Sequence, residues 1–231
     1  MLAVMPSIDR QIVTLAPGFR ARSVSVSASP IVNPGFGQQA LDEACRSIAT
    51  GGAAWADAHL CAWAEVFRKF GAKPQRTPCS AEALRKRVLK EGRLPSIDPV
   101  VDLYNAVSLR YAIPVGGENF AAYVGIPRLA IADGTEGFDT IKDGAPALEA
   151  PERGEVVWRD DVGVTCRRWN WRQGVRTRLA ADAKQMWFVL ESLPEMPITA
   201  LQEAGDALVD GLRRLMPDSA IEARLIGLVT Q

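Results

Sequence analysis

Histidine is nearly missing from these 231 residues: His59 stands alone. Cysteine is sparse too, and Cys45, Cys61, Cys79 and Cys166 never fall at C-x-x-C spacing. A Cys/His metal site needs three or four ligands, usually with a local pair among them, so neither a metal nor another cofactor is expected. The sequence also lacks a Ser-His-Asp signature. Net charge is absent, since 27 Lys plus Arg balance 27 Asp plus Glu. No global field draws the chain to a polyanion, and any RNA contact must use a local basic patch. No apolar run approaches about twenty residues, which excludes a spanning helix, and Met1 to Met5 is too short for a signal segment. Scattered free thiols fit a reducing compartment, so the chain is read as cytoplasmic and away from membranes.

What is present is an ordinary globular composition, 48% hydrophobic and 23% charged, sufficient for one sizeable core and for a single domain over 1–231. The stretch from Asp98 to Asn119 organises it. Asp98-Pro99 is a helix start, and Val100, Leu103, Tyr104, Val107 and Tyr111 recur on one apolar face. Val101, Ala106, Leu109 and Ala112 make most of the remaining surface apolar, which predicts a central, buried helix. Asp98, Asp102 and Asn105 form its polar stripe. Asp98 and Asp102 serve the helix start, while Asn105 either bonds a neighbouring loop or faces a ligand.

Other segments are read in chain order. Ile12 to Leu15 and Arg22 to Ala28 are expected strands joined by a turn at Pro17-Gly18, with Pro30 to Gly37 a loop. Helices follow at Leu41 to Ile48, closed by Gly51-Gly52, and at Trp55 to Phe70. His59 lies on the apolar face of the latter, as a satisfied core or boundary histidine. Thr77 or Ser80 is expected to cap a helix that carries Arg85, Lys86, Arg87, Lys90 and Arg93. That face is either solvated or a phosphate-tracking patch. Pro114 to Gly117 is expected as a loop after the central helix, Arg128 to Ala132 as a strand, and Val156 to Arg168 as a hairpin. Gln185 to Glu191 is a buried apolar run. A last helix opens near Thr199 with Gln202 completing a capping box, and Ile221 to Val229 is a strand or a helical turn. These interleaved elements place the chain in a mixed α/β class.

Chemistry concentrates in Cys166-Arg167-Arg168-Trp169-Asn170-Trp171-Arg172, which continues through Arg176. As a strand it would send Arg167 and Trp169 to one face and Cys166 and Arg168 to the other, putting a guanidinium beside an aromatic plane. That arrangement suits phosphate and base stacking, or a purely structural cation on Trp. Cys166 is either a small buried residue or a thiol activated by two arginines.

Val-Asp-x-x-Asn at 101–105 and Pro-x-x-Gly-Glu at 114–118, with Leu94-Pro95-Ser96-Ile97, Gly154-Glu155-Val156-Val157 and the Cys166 to Arg172 run, resemble the B3/B4 module of the bacterial phenylalanyl-tRNA synthetase beta chain and its freestanding relatives. The resemblance covers a core at about 74–192, with N- and C-terminal elements packed on it. It implies a layered fold, an unusual β-sandwich flanked by helices. It also implies hydrolysis of a wrong aminoacyl ester on transfer RNA, acting in trans, or a non-catalytic module that binds a tRNA end or a free amino acid. On that resemblance Asn105, Glu118 and Asn170 are the catalytic candidates, Gly116, Gly117, Arg168 and Trp169 would contact substrate, and Arg85, Lys86, Lys90, Arg167, Arg172 and Arg176 would hold RNA. Two departures stand out: the synthetase histidine falls on Gly116, and the glycine-rich segment closing the synthetase pocket is replaced by Arg167 to Arg172.

Overall fold

A computed structural model describes residues 3–180 and 182–227. In chain order, strand β1 (Ser7–Ile8) leads into helix α1 (Arg10–Leu15), then β2 (Arg20–Ser27), α2 (Gly35–Ala49), α3 (Ala56–Lys69), α4 (Ser80–Glu91) and α5 (Pro99–Tyr111). Strand β3 (Val115–Asn119) and a 3-10 turn at Phe120–Ala122 follow, then β4 (Arg128–Ile131), β5 (Phe138–Lys142), β6 (Ala145–Glu149), β7 (Val156–Arg159), β8 (Val164–Arg167) and β9 (Arg172–Gln173). Strand β10 (Gln185–Ser192), helix α6 (Ile198–Leu215) and β11 (Ala220–Gly227) complete the chain.

The strands form two sheets, one in the order β11-β2-β10-β3 and the other β1-β4-β7-β8-β5-β6 with β9 on β8. The four-stranded sheet is antiparallel throughout, and its two faces serve different partners. Val24, Val26, Phe188 and Leu190 pack with Leu103, Val107, Leu208 and Leu212 of α5 and α6. Ala21, Trp187 and Val189 join Leu129, Val156 and Trp158 of the larger sheet, together with Trp63 and Phe67 of α3. Layered helices, small sheet and large sheet give the mixed α/β class expected from the pattern and the helix-flanked sandwich that the resemblance implies. The alternating serines have a use as well. Ser23 and Ser25 bind the backbone of Val4 at 2.7 and 2.8 Å, so polar residues line the inner face without an orphaned group.

Helix α5 is the buried central helix that its pattern predicts. Asp98 accepts the Val100 amide at 2.9 Å, and buried Asp102 accepts Ile97 N at 2.9 Å along with the Ser96 hydroxyl. The helix ends at Ala112 in the left-handed region, φ 49°.

Four expectations need correction. Ile12 to Leu15 belongs to α1, because Asp9 caps that turn through Gln11 N at 2.9 Å and one face suffices to bury Ile12. The Pro30 to Gly37 loop is shortened by α2, which starts at Gly35. Pro114 to Gly117 is mostly strand β3, because β10 supplies the hydrogen-bond partner that glycine propensity alone does not reveal. The side-chain caps expected at Thr77 or Ser80 and at Thr199-Gln202 do not form; Cys79 and Pro197 hold those positions. A cap is worth about 1 kcal/mol, whereas each buried leucine on α6 contributes roughly 2, so packing sets the start of that helix. The segment after Ala220 resolves as β11; Leu228 and Val229 lie outside the described residues.

Candidate functional site

A cavity of about 370 Å³ opens between the two sheets beside α4 and α5. It gathers Asn105, Gly116, Gly117, Glu118, Trp169 and Asn170 in one wall system, together with Tyr104, Trp158, Cys166, Trp171, Val189 and Glu191. The volume lies in the range of small-molecule sites.

Its floor is set by strand register. Gly116 pairs with Val189 and Glu118 with Trp187, so Glu118, Gly116, Val189 and, two residues on, Glu191 share the inner face. Glycine is required at position 117 for close approach, and position 116 is tight. A Cβ on Gly117 would come within 2.9 Å of the rings of Tyr104 and Phe188, and one on Gly116 within 3.3 Å of Val189.

Two carboxylates border this floor. Glu118 is 5% exposed and accepts the Tyr123 hydroxyl at 2.9 Å, which also reaches Thr165 of the facing sheet at 3.1 Å. Glu191 is fully buried; Trp158 Nε1 and Trp169 Nε1 donate to its Oε1 at 3.0 and 2.8 Å, and Asn170 Nδ2 donates to Oε2 at 3.0 Å. Burial disfavours the charged form of each, and hydrogen bonding offsets this only in part, so both are raised to about 7. Glu191 was absent from the sequence-derived candidates. Its signal was an acid at the end of an otherwise apolar strand, where burial demands partners.

Asn105 stands half-buried on α5, and its side chain has no hydrogen-bond partner among the described residues. The alternative in which it bonds a neighbouring loop is therefore not realised. Cys166 is pushed well above the usual thiol range, by burial first and then by Glu118 and Glu191, which removes the activated-thiol alternative. His59 is the satisfied core histidine: Nδ1 lies 2.9 Å from Ala112 O, while Trp63 Nε1 and Leu193 N each donate to Nε2 at 3.1 Å. It thereby ties α3 to the ends of α5 and β10, the two elements that carry Asn105 and Glu191.

The Arg167 to Arg172 run differs from the expected strand. Arg168 and Trp169 both have positive φ, 46° and 64°, so alternation stops at Arg167. Trp169 turns inward, fully buried, edge-on to Phe19 and Trp63 at centroid distances of 5.1 and 5.2 Å. A base cannot stack on it. The guanidinium-aromatic pairing does exist, between Arg168 and Trp171 at 4.7 Å, and Arg172 lies 5.9 Å from the same ring. Arg167 makes two bonds to buried Glu155 at 2.8 and 3.0 Å, and Arg176 holds buried Asp160 through two bonds of 2.9 Å. Both guanidiniums are thus committed to carboxylates inside the protein.

On α4, Arg85 pairs with Asp57 and Lys86 with Glu82, each at 2.9 Å, while Lys90 is exposed and makes no ion pair among the described residues. Arg87 on the same helix, read from the sequence only as part of the basic face, lines the cavity. No group of three or more metal-ligating side chains occurs among the described residues. Nor is any described helix long and apolar enough to cross a membrane.

The sequence profile of the B3/4 domain matches residues 62–205. An N-terminal fragment of the phenylalanyl-tRNA synthetase beta subunit from Pyrococcus horikoshii is similar over 96% of this chain and 52% of its own, with a TM-score of 0.46 and 10% identity. The chain spans about half the length of that fragment. No curated protein matches it in sequence.

Proposed function

This chain belongs to the B3/4 domain family, and from that premise we propose that it is an aminoacyl-tRNA editing factor that hydrolyses a mischarged ester in trans, in the cytoplasm. The observation that carries this reading is one cavity uniting Asn105 and Asn170 with Glu118, a buried acid raised to about 7. Ester hydrolysis needs a positioned water and donors around the carbonyl, and a general base works best when its pKa lies near the operating pH. Glu118 fits the base or water-positioning role, and the free amide of Asn105 fits the carbonyl. Trp171, with Arg168 against it, is the exposed-side aromatic suited to a terminal base, and Lys86 and Lys90 are the α4 cations suited to phosphate.

The unpartnered amide oxygen of Asn170 favours a second reading, a non-catalytic module that holds a tRNA end or a free amino acid in the same cavity. Incubating the protein with a panel of mischarged transfer RNAs separates the two. Release of a particular amino acid, abolished by Glu118→Gln, supports editing; binding without release supports the module.

A further inference from the structure

The Glu191–Asn170 end of the cavity is short of donors. Glu191 Oε1 accepts two indole N–H groups, but among the described residues Oε2 accepts only the Asn170 amide. A carboxylate offers about four lone-pair sites, so Oε2 retains an open one. Asn170 is 8% exposed, and its Oδ1 is buried without a partner. Two open acceptors therefore sit on residues that one hydrogen bond joins, and both residues line the cavity.

This end is also short of positive charge. Every group that donates to Glu191 is neutral. Arg87, the arginine that lines the cavity, pairs with Glu91 at 2.9 Å, and Arg167 on the neighbouring strand is spent on Glu155 and Glu149. Around it stand the indoles of Trp158, Trp169 and Trp171. A buried carboxylate with no counter-charge is costly in its ionised form, and a ligand cation removes that cost. A hydroxyl would satisfy Asn170 Oδ1 but bring no charge. A primary ammonium brings both, with three donors in a compact head, and aromatic walls favour it further.

We propose that the Glu191–Asn170 end of the cavity is a subsite for a primary ammonium, held between Glu191 Oε2 and Asn170 Oδ1. The identity of its carrier rests on the editing reading: an aminoacyl group offers an ammonium at its α-carbon or at the end of its side chain. Glu118 is then left free for water.

Calorimetric titration at neutral pH with three amides of one chain length tests this: L-norleucinamide, with an α-ammonium; 6-aminohexanamide, with a terminal one; and hexanamide, with none. At least one amine should bind about tenfold or more tightly than hexanamide, and which one does so identifies the carrier position. Glu191→Gln keeps the shape but not the charge and should erase that preference. Asn170→Leu should weaken the preferred amine about tenfold. Circular dichroism establishes that each variant is folded, and if Glu191→Gln is not, Asn170→Leu decides. Equal binding of all three amides, binding of none, or an ammonium preference that survives in a folded variant overturns the subsite. No ester enters these titrations, so a failed deacylation screen leaves them standing, and deacylation without ammonium preference removes the subsite alone.

Discussion

Glu118 on β3 and Glu191 on β10 rise from the same face of one sheet, with Gly116 and its cross-strand partner Val189 between them. Each is buried, and each is raised to about 7. The facing sheet is tied to both, Thr165 to Glu118 through the Tyr123 hydroxyl and Trp158 directly to Glu191. The cavity thus keeps two acids where two layers meet, a costly arrangement for stability and a useful one for a site.

That cost has a pH signature. Glu118 and Glu191 rise from 4.5 to about 7 on folding, so between these values the folded chain retains protons that the unfolded chain has lost. Their contribution to stability is full below about 4.5 and falls as pH rises through about 7, by up to about 3 kcal/mol per group. Urea unfolding at about pH 5 and about pH 8 should show the wild type weaker at the higher pH, and Glu118→Gln should lessen the difference. A difference left unchanged in Glu118→Gln would contradict the shift at that residue.

His59 acts with the opposite sign. Burial lowers it from 6.5 to about 4, so its contribution is present above 6.5 and disappears as pH falls towards about 4. Replacing it with phenylalanine orphans Leu193 N, Trp63 Nε1 and Ala112 O, at an expected cost of about 3 kcal/mol. Thermal unfolding at neutral pH measures this; an unchanged melting temperature refutes the tie between α3, α5 and β10.

Asn105→Ala removes an amide that bonds nothing among the described residues, so the melting temperature should barely move. Deacylation should fall by about 100-fold, as expected for a lost transition-state contact. Full activity in the folded variant would take α5 out of the proposed site.

Arg167→Ala should be destabilising by about 3 kcal/mol, because buried Glu155 would lose its two-bond partner and keep only the amides of Glu152 and Arg168 and a 3.9 Å contact with the Arg168 guanidinium. Chemical denaturation measures the loss. A neutral outcome would return Arg167 to the pool of residues free to meet RNA.

Lys86 and Lys90 changed together to glutamate should weaken RNA binding and flatten its salt dependence by about one unit of log-log slope per phosphate contact. Binding measured across a salt series reads both effects. Unaltered affinity and slope would assign α4 to solvent, with Lys86 serving only Glu82.

How much was legible follows from how local each signal is. Helix α5 could be read because Asp98, Pro99 and the apolar spacing act within a few residues of one another, and its Asp102 cap was visible for the same reason. Strands β2 and β10 declared themselves through alternation and through an apolar run. The hairpin of β5 and β6 was missed although Asp143-Gly144 turns it, with φ of 51° and 80°; its flanks are too polar and too poor in alternation to stand out. Of the site, Asn105, Glu118 and Asn170 were reached from motif resemblance. Their convergence on one cavity required the pairing of β3 with β10, across about seventy intervening residues, which no local pattern encodes. Glu191 became a site residue only when Trp158 and Trp169 arrived from the facing sheet to hold it. The inward turn of Trp169 was decided in the same way. The sequence by itself determined where helices and strands prefer to be and which faces they bury; the tertiary structure alone decided which acids lose water and which arginines are consumed, because desolvation and ion pairing depend on neighbours that lie far apart along the chain.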